Sequence, residues 1–476
     1  MTSDTHRSVP LFVDLDGTLI KTDLLAESAL ALVKQAPWMI FVMPFWLLRG
    51  KAHLKARIAE RVSLENDTLP LQNEFVAYLQ AQHASGRTIH LATASDACLA
   101  QPIAKRLGIF QSVLCSDGKN NLRSEVKLAA ILKITNGAPF DYAGNAHADF
   151  PIWASARQAI VVNPGSGVIR GARQRTEVSQ VFDDRPPLWR IWLKQTRLHQ
   201  WMKNLLIGVP LLTSHAFTAS NLAAIALAFI AFGLVASATY MLNDLLDLAS
   251  DRKHPRKCRR PFAAGNLGIV PGCIGMALLL LGGLLLAASI SLWFLLALLS
   301  YLALTLSYSL YFKSYVLIDV ILLALLYTVR IIAGAIVISV DISSWLLAFS
   351  MFTFLSLALV KRAAELVTME KLAREAAKGR DYRLDDAQVI SSMGISAGYL
   401  AVLILALYVE SPAVSDHYSH PRLLWLLCPL MLYWTSRLWI KTSRGEMHDD
   451  PLVFSLRDRG SWIVCVAMAF VTLIAI

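Results

Sequence analysis

Asn243-Asp244-Leu245-Leu246-Asp247-Leu248-Ala249-Ser250-Asp251 runs directly into Arg252-Lys253-His254-Pro255-Arg256-Lys257-Cys258-Arg259-Arg260-Pro261, and these nineteen residues decide how the chain reads. The forty residues 204–243 contain no Asp, Glu, Lys or Arg, and residues 261–312 contain none either. Three carboxylates and six Lys/Arg residues are thereby placed at the edge of a membrane, between two apolar spans. On a helix Asp244, Asp247 and Asp251 fall at i, i+3 and i+7 and face one way. Carboxylates clustered on one face suit Mg²⁺, which takes oxygen ligands and bridges to phosphates. The cations that follow suit phosphate groups beyond the metal's reach. A loop serving only membrane orientation needs the cations, but not three aligned acids beside a bilayer.

Composition agrees. The chain has 476 residues, 55% of them hydrophobic and 17% charged, with a mean hydropathy of +0.50. These values indicate a polytopic membrane protein with a soluble part. The net charge of +11 does not indicate nucleic acid, because the cations concentrate in loops between apolar runs. Residues 1–10 lack the charged-then-apolar pattern of a cleavable signal. The six cysteines (98, 115, 258, 273, 428, 465) have no CxxC spacing, so neither a disulfide framework nor a zinc site is indicated. The N-terminal half is expected in the cytoplasm.

In that half, Val9–Val13 reads as a buried strand followed at once by Asp14-Leu15-Asp16-Gly17-Thr18. Two acids flanking one residue, then Gly-Thr, make a tight loop able to hold a phosphate and Mg²⁺. Thr88–Ala92 reads as a second strand ending in Thr93-Ala94-Ser95. Lys127 opens a helix, and a strand over Asp141–Gly144 precedes Asn145 and Asp149. Such βα units put ligands at the carboxyl ends of the strands. Residues 8–165 resemble the haloacid dehalogenase superfamily of phosphatases, with four motifs in order. The resemblance implies a Rossmann-like α/β domain, here over 1–180, with a helical cap at about 23–85. It makes Asp14 the nucleophile that becomes an aspartyl-phosphate and Asp16 the general acid and base. Thr93 then binds phosphate, Lys127 steadies the charge, and Asp14, Asp16 and Asp149 serve Mg²⁺. One departure is Asn145, where the family commonly has an acid; a weakened or purely binding domain is the alternative to an active phosphatase.

Within the cap, Ala36–Leu48 is a run of thirteen uncharged, mostly apolar residues, too short to span. It reads either as a helix buried in the cap's own core or as a segment resting on the bilayer. Residues 171–188 read as a polar linker, and 181–203 lead through an interfacial helix rich in tryptophan and cations toward the first span.

Apolar runs over 204–476 predict nine spans, near 204–218, 221–242, 268–287, 290–311, 315–338, 344–360, 391–409, 422–440 and 460–476. Connections 243–267 and 361–390 carry six and seven Lys/Arg. The cytoplasmic N-terminus and the odd count then put the C-terminus outside a bacterial-type inner (plasma) membrane. Residues 195–476 resemble the UbiA superfamily of intramembrane prenyltransferases, through NDxxDxxxD and the entry Arg197-x-x-Gln200-Trp201-x-Lys203-Asn204. His254-Pro255-x-Lys257-x-x-Arg260-Pro261 is similar to its decaprenyl-phosphate phosphoribosyltransferase branch. Tyr308-x₄-Lys313 with Asp319 resembles the second conserved region, although that region usually carries more acids. Arg330 inside a span is expected to face a polar cavity rather than to pair with Asp319, about 16 Å away along one helix. Lys361, Arg362 and Glu365 end the sixth span; His448-Asp449-Asp450 reads as solvated loop.

The resemblance implies Mg²⁺-dependent transfer of a phosphoribosyl group from phosphoribosyl pyrophosphate to a polyprenyl phosphate, with Asp244, Asp247 and Asp251 at the metal. Asp244 and Asp247 are also the expected catalytic acids. Lys257 and Arg260 would take the 5-phosphate, and Lys203, Asn243, His254, Tyr308, Lys313, Arg330 and Lys361 complete the expected substrate-binding set. The alternatives are an aromatic prenyltransferase using a polyprenyl diphosphate, as in quinone biosynthesis, and a membrane-anchored phosphatase or a transporter.

Overall fold

Short apolar runs separated by helical stretches cannot fold back as hairpins, so they pair in parallel through crossovers. A computed structural model of the chain describes residues 9–117, 121–371, 381–411, 414, 418–447 and 451–475. It divides into two compact units, Met1–Thr196 with Tyr240–Met276, and Arg197–Thr239 with Ala277–Ile476.

The first unit is built on six strands: β1 (Leu11–Val13), β2 (Ile89–Asp96), β3 (Ser112–Ser116), β4 (Asp141–Gly144), β5 (Gln158–Val162) and β6 (Glu177–Phe182). All pairings are parallel and the order is β3-β2-β1-β4-β5-β6. The chain winds outward from β1 in both directions, so the crevice at the carboxyl end of β1 is a switch point where ligands bind in such sheets. Leu11 and Val13 belong to one apolar cluster and Phe12 to another, as alternation along a strand requires. β6 corrects the expected linker. Its residues pair with β5 although four of the six are exposed, because an edge strand buries little and reads as polar.

Between β1 and β2 lie the helices Leu24–Gln35, Met39–Leu48, Lys51–Ala59 and Asn73–Ala84. The reading of 36–48 as a segment buried in the cap's core does not hold. None of the ten residues of Met39–Leu48 is buried. Met39, Met43 and Trp46 pack beside Leu32, Ile58 and Val62, which is all the core this small cap can offer.

Seven helices are long and apolar enough to cross a membrane: Ala219–Leu246, Ile269–Ile290, Leu292–Leu310, Ile318–Ile338, Ser344–Glu370, Leu384–Val409 and Pro421–Ser443. The protein is a multi-pass membrane protein; nine spans were expected, and seven helices of that length are found among the described residues. Residues 204–218 form no long helix. The tight 3₁₀ stretch Leu198–Gly208 gives way to the short helix Val209–Thr213, with Pro210, which has no N–H to donate, in its first turn. The Ile207 carbonyl lies so close to Gly334 that a Cβ there would meet it at 2.0 Å. Arg459–Ala475 is apolar but only 17 residues long, about 25 Å, less than a bilayer's hydrocarbon. In the second unit one core gathers around Phe232, Phe294 and Tyr301, and another around Tyr327, Phe354 and Trp439.

Candidate active sites

Asp14 leaves the end of β1, and its backbone N–H donates to the Ala143 carbonyl on β4. Its Oδ1 accepts from Lys127 Nζ at 2.7 Å. That ammonium also reaches the Tyr142 hydroxyl at 3.0 Å, and the hydroxyl donates to Asp149 Oδ1 at 2.9 Å. Burial pushes the Asp14 carboxyl up, against the pull of Lys127. Burial would depress Lys127, yet Asp14 and Asp149 together hold it above its ordinary value, so the lysine is a fixed cation. Asp16 points to the other side of the loop. Its Oδ1 accepts from the Leu24 N–H at 2.8 Å and its Oδ2 from the Ser95 hydroxyl at 2.6 Å. Burial, then the neighbouring Asp23, pushes Asp16 up to about 7, the range of a group that gives and takes a proton at neutral pH. Thr93 is fully buried and its Oγ1 accepts from the Ser95 N–H at 3.0 Å.

Asp149 is buried. Besides Tyr142 it accepts from the Asn145 and Ala146 N–H groups, both at 3.0 Å, so it braces the loop after β4. Asn145 itself lies against Gly17, whose added Cβ would meet its Nδ2 at 2.1 Å. Gly17 has φ +75°, so both space and backbone demand glycine. Asp14 offers carboxylate oxygen here, the donor type Mg²⁺ takes, whereas the Asn145 atom nearest the loop is its amide nitrogen, which cannot ligate a metal.

The aspartate-rich stretch is not one uninterrupted helix. Ala219–Leu246 ends before Asp247, which begins the helix Leu248–Lys253. Backbone bonds Asp247 N–H to Asn243 O and Asp251 N–H to Asp247 O, each 2.9 Å, nevertheless keep helical spacing. Asp244 and Asp251 therefore converge. Both are buried, and both bond Nη1 of Arg260, Asp244 at 3.0 Å. Gln195 Nε2 donates to the second oxygen of Asp244 at 3.0 Å. Half-buried Asp247 accepts instead from Asn243 Nδ2 at 3.1 Å. Lys257 Nζ is 3.9 Å from Asp251, and His254 Nδ1 accepts from the Arg256 and Lys257 N–H groups. Arg260 neutralises this pair of carboxylates, whose oxygens are the donor type Mg²⁺ takes, but among the described residues no three acids, histidines or cysteines are grouped to hold a metal ion.

Arg362 and Arg330, both buried in the second unit, have different partners. Arg362 bonds Asp319 at 2.5 Å, Glu365 at 2.6 Å and the Tyr308 hydroxyl at 3.0 Å, while Tyr382 donates to the other oxygen of Asp319. Arg330 has no carboxylate partner among the described residues. Its guanidinium donates to Asn204 Oδ1 (3.1 Å), the Tyr301 hydroxyl (3.0 Å) and the Leu326 carbonyl, and lies 4.7 Å from the Tyr301 ring centre. It is 4% exposed. Buried Asn204 keeps an Nδ2 without a partner, and Lys203 Nζ lies 5.7 Å from the centre of the Tyr327 ring. A buried cation beside an unused donor is suited to an anion. Lys313 lies in the turn Phe312–Ser314 and half-buried Lys361 in Ser344–Lys371. His448-Asp449-Asp450 lies outside the described residues.

Sequence reading missed several participants. Ser95 and Tyr142 touch the acids of the first site, and Lys55 brings a cap helix onto the Ala94 carbonyl at 2.6 Å. Gln195 on Asp244 and the Glu27–Arg252 pair, with Nη2–Oε1 at 2.5 Å, were equally unannounced. Arg362 had been read only as a charge ending a span. Asn204 and Gln200-Trp201 carried a signal in the quoted entry; the others had none beyond their polarity.

A phosphatase-type crevice on a parallel sheet and an aspartate-rich turn leading out of a membrane helix define a membrane-bound enzyme with two chemistries. The chain belongs to the UbiA prenyltransferase family, which residues 205–456 match, and residues 11–152 match the haloacid dehalogenase-like hydrolases. The uncharacterized protein y4nM of Sinorhizobium fredii is 35% identical over 98% of this chain and 91% of its own. A decaprenyl-phosphate phosphoribosyltransferase of Corynebacterium glutamicum is 33% identical over 192 residues, 38% of this chain and 55% of that protein. The solved structure of a UbiA homologue from Archaeoglobus fulgidus bound to GPP and Mg²⁺ covers 60% of this chain and 99% of its own at 17% identity, with a TM-score of 0.45.

Proposed function

We propose that the protein transfers a phosphoribosyl group from phosphoribosyl pyrophosphate to a polyprenyl phosphate on the cytoplasmic side of a bacterial inner membrane. The observation that carries this reading is Arg260 shared between Asp244 and Asp251, with Lys257 beside them. A prenyl diphosphate offers one diphosphate to bind; the phosphoribosyl donor adds a 5-phosphate at the far side of the ribose, which a second cationic group suits. The partial likeness to a decaprenyl-phosphate phosphoribosyltransferase supports the same choice. Mg²⁺ held by Asp244, Asp247 and Asp251 would supply neutralisation of the departing pyrophosphate. Arg260 and Lys257 bind and orient the 5-phosphate. Within the second unit Arg330, Lys203 and Asn204 form a group suited to an anion, where low polarity strengthens each contact. One acceptor oxygen forms the bond to the anomeric carbon as the carbon–pyrophosphate bond breaks.

The product still bears a 5-phosphate, and the Asp14 site removes it. Asp14 attacks phosphorus, Lys127 and Thr93 hold the phosphoryl oxygens, and Asp16 passes its proton to the leaving ribose oxygen. It then takes a proton from the water that releases phosphate from Asp14. Tethering the two sites in one chain keeps each near the other's product.

The test incubates purified full chain with Mg²⁺, ribose-labelled phosphoribosyl pyrophosphate and polyprenyl phosphate, beside a tube with polyprenyl diphosphate and 4-hydroxybenzoate. Lipid-borne label only in the first tube is expected. Prenylated aromatic product in the second tube alone overturns the donor. Asp14→Asn should accumulate the 5-phosphate form that wild type removes; identical lipid products from both proteins would separate the phosphatase from this reaction.

A further inference from the structure

The helix Met39–Leu48 has apolar residues on all sides, Met-Ile-Phe-Val-Met-Pro-Phe-Trp-Leu-Leu, and uses only one of them within the protein. Met39, Met43 and Trp46 recur at helical spacing and meet the cap's small core. On the other side Phe41 is 75%, Phe45 68% and Leu48 84% exposed, with Trp38 and Ile40 also bare. A helix partnering only its own cap would carry polar residues there. An exposed patch of aromatic and branched side chains marks an interaction surface.

The surroundings say which one. From Glu27 to Glu60 the sequence holds no intervening acid, while exposed Lys34, Arg49 and Lys51 lie beside this segment. Apolar side chains flanked by tryptophan and cations match the boundary between hydrocarbon and anionic headgroups, and match a protein groove less well because no side of the helix is polar. The helix is too short to cross, and Pro44 in its middle matters little to a segment lying flat. The same chain spans the membrane, so lipid is always at hand.

We propose that Met39–Leu48 inserts its Phe41–Phe45–Leu48 side into the hydrocarbon boundary of the bilayer, so that the cap of the phosphatase unit is a membrane-binding element. The cap is then held on lipid by its own side chains, and the substrate class that fits is a phosphate carried on a lipid. The insertion stands on exposure and charge alone and is independent of the chemistry assigned to Asp14.

The experiment uses the full chain, with its six native cysteines replaced, reconstituted in vesicles of phosphatidylcholine and phosphatidylglycerol. Nitroxide labels go at Phe41→Cys, Phe45→Cys and Leu48→Cys. Gln80→Cys, exposed on Asn73–Ala84, reports water, and Leu285→Cys, exposed on the span Ile269–Ile290, reports lipid. Power saturation compares collisions with oxygen, which concentrates in hydrocarbon, and with a water-soluble nickel chelate. The three labels should follow Leu285, with nickel collisions reduced about tenfold relative to Gln80. Nickel access equal to that at Gln80 overturns the proposal. So does shielding from both reagents, which would mean that protein, not lipid, covers the helix.

Discussion

Replacing Arg330 by methionine separates a structural arginine from one that binds an anion. The guanidinium makes three hydrogen bonds, to Asn204, Tyr301 and the Leu326 carbonyl, and no carboxylate among the described residues neutralises it. Each bond to a charged donor contributes about 1.5–3 kcal/mol, whereas burying the charge costs several kcal/mol. The two nearly cancel, so Arg330→Met, which keeps the stem's volume and removes the charge, should change stability by no more than ~2 kcal/mol. In a chain this size that shifts the apparent Tm by less than about 8 °C. Activity should respond otherwise. Losing a buried cation on the acceptor phosphate forfeits about 3–4 kcal/mol of transition-state stabilisation, two to three orders of magnitude in rate. The assay pairs thermal unfolding in detergent with transfer of labelled phosphoribosyl group at saturating donor. Full transfer by a normally folded variant would refute the anion-binding role. Loss of transfer together with a collapse of Tm would reduce Arg330 to a structural residue.

Asp244→Asn and Asp247→Asn should each lower transfer by roughly a hundredfold or more, while hydrolysis of a soluble phosphomonoester by the Asp14 site continues; equal loss of both activities would argue for misfolding. Lys257→Ala should chiefly raise KM for phosphoribosyl pyrophosphate, since a contact to a remote phosphate binds ground and transition states alike. Unchanged KM would weaken the case for that donor. Glu27→Gln leaves buried Arg252 without its carboxylate and should cost about 3 kcal/mol of stability, read as a lower Tm that Glu27→Gln with Arg252→Met recovers in part.

The two acidic motifs were more legible than the scaffold around them. Asp14-x-Asp16 and Asp244-x-x-Asp247-x-x-x-Asp251 are local patterns, and β1 and the end of Ala219–Leu246 place them as local patterns allow. Gln195 on Asp244 and Tyr142 between Lys127 and Asp149 depend on pairings across 49 and 15 residues, which no periodicity encodes. Glu177–Phe182 failed for the opposite reason: an edge strand keeps exposed polar residues, so its composition is that of a linker. The run 36–48 was ambiguous in principle, because a helix buried in protein and one facing lipid use the same residues. Pro210 and a 3₁₀ stretch interrupt the apolar run 204–218 that hydropathy alone treats as continuous.

Asp16 accepts from the Leu24 N–H at the start of the helix Leu24–Gln35. Along that helix Glu27, which also accepts from the Thr22 hydroxyl at 2.8 Å, grips both terminal nitrogens of Arg252. Arg252 follows Asp251, whose carboxylate is tied through Arg260 to Asp244. Asp16 and the acids Asp244 and Asp251 are thus linked inside one compact unit through side-chain hydrogen bonds, one helix turn and one peptide bond. A path is not yet a coupling; coupling needs an element with two arrangements that both sites bias. Arg260 supplies a candidate for such an element, because it neutralises Asp244 and Asp251 here and would be released to a phosphate if a cation took those carboxylates. Any effect of that release on Asp16 must then be reciprocal, so that phosphate held at Asp14 alters donor affinity by the same factor.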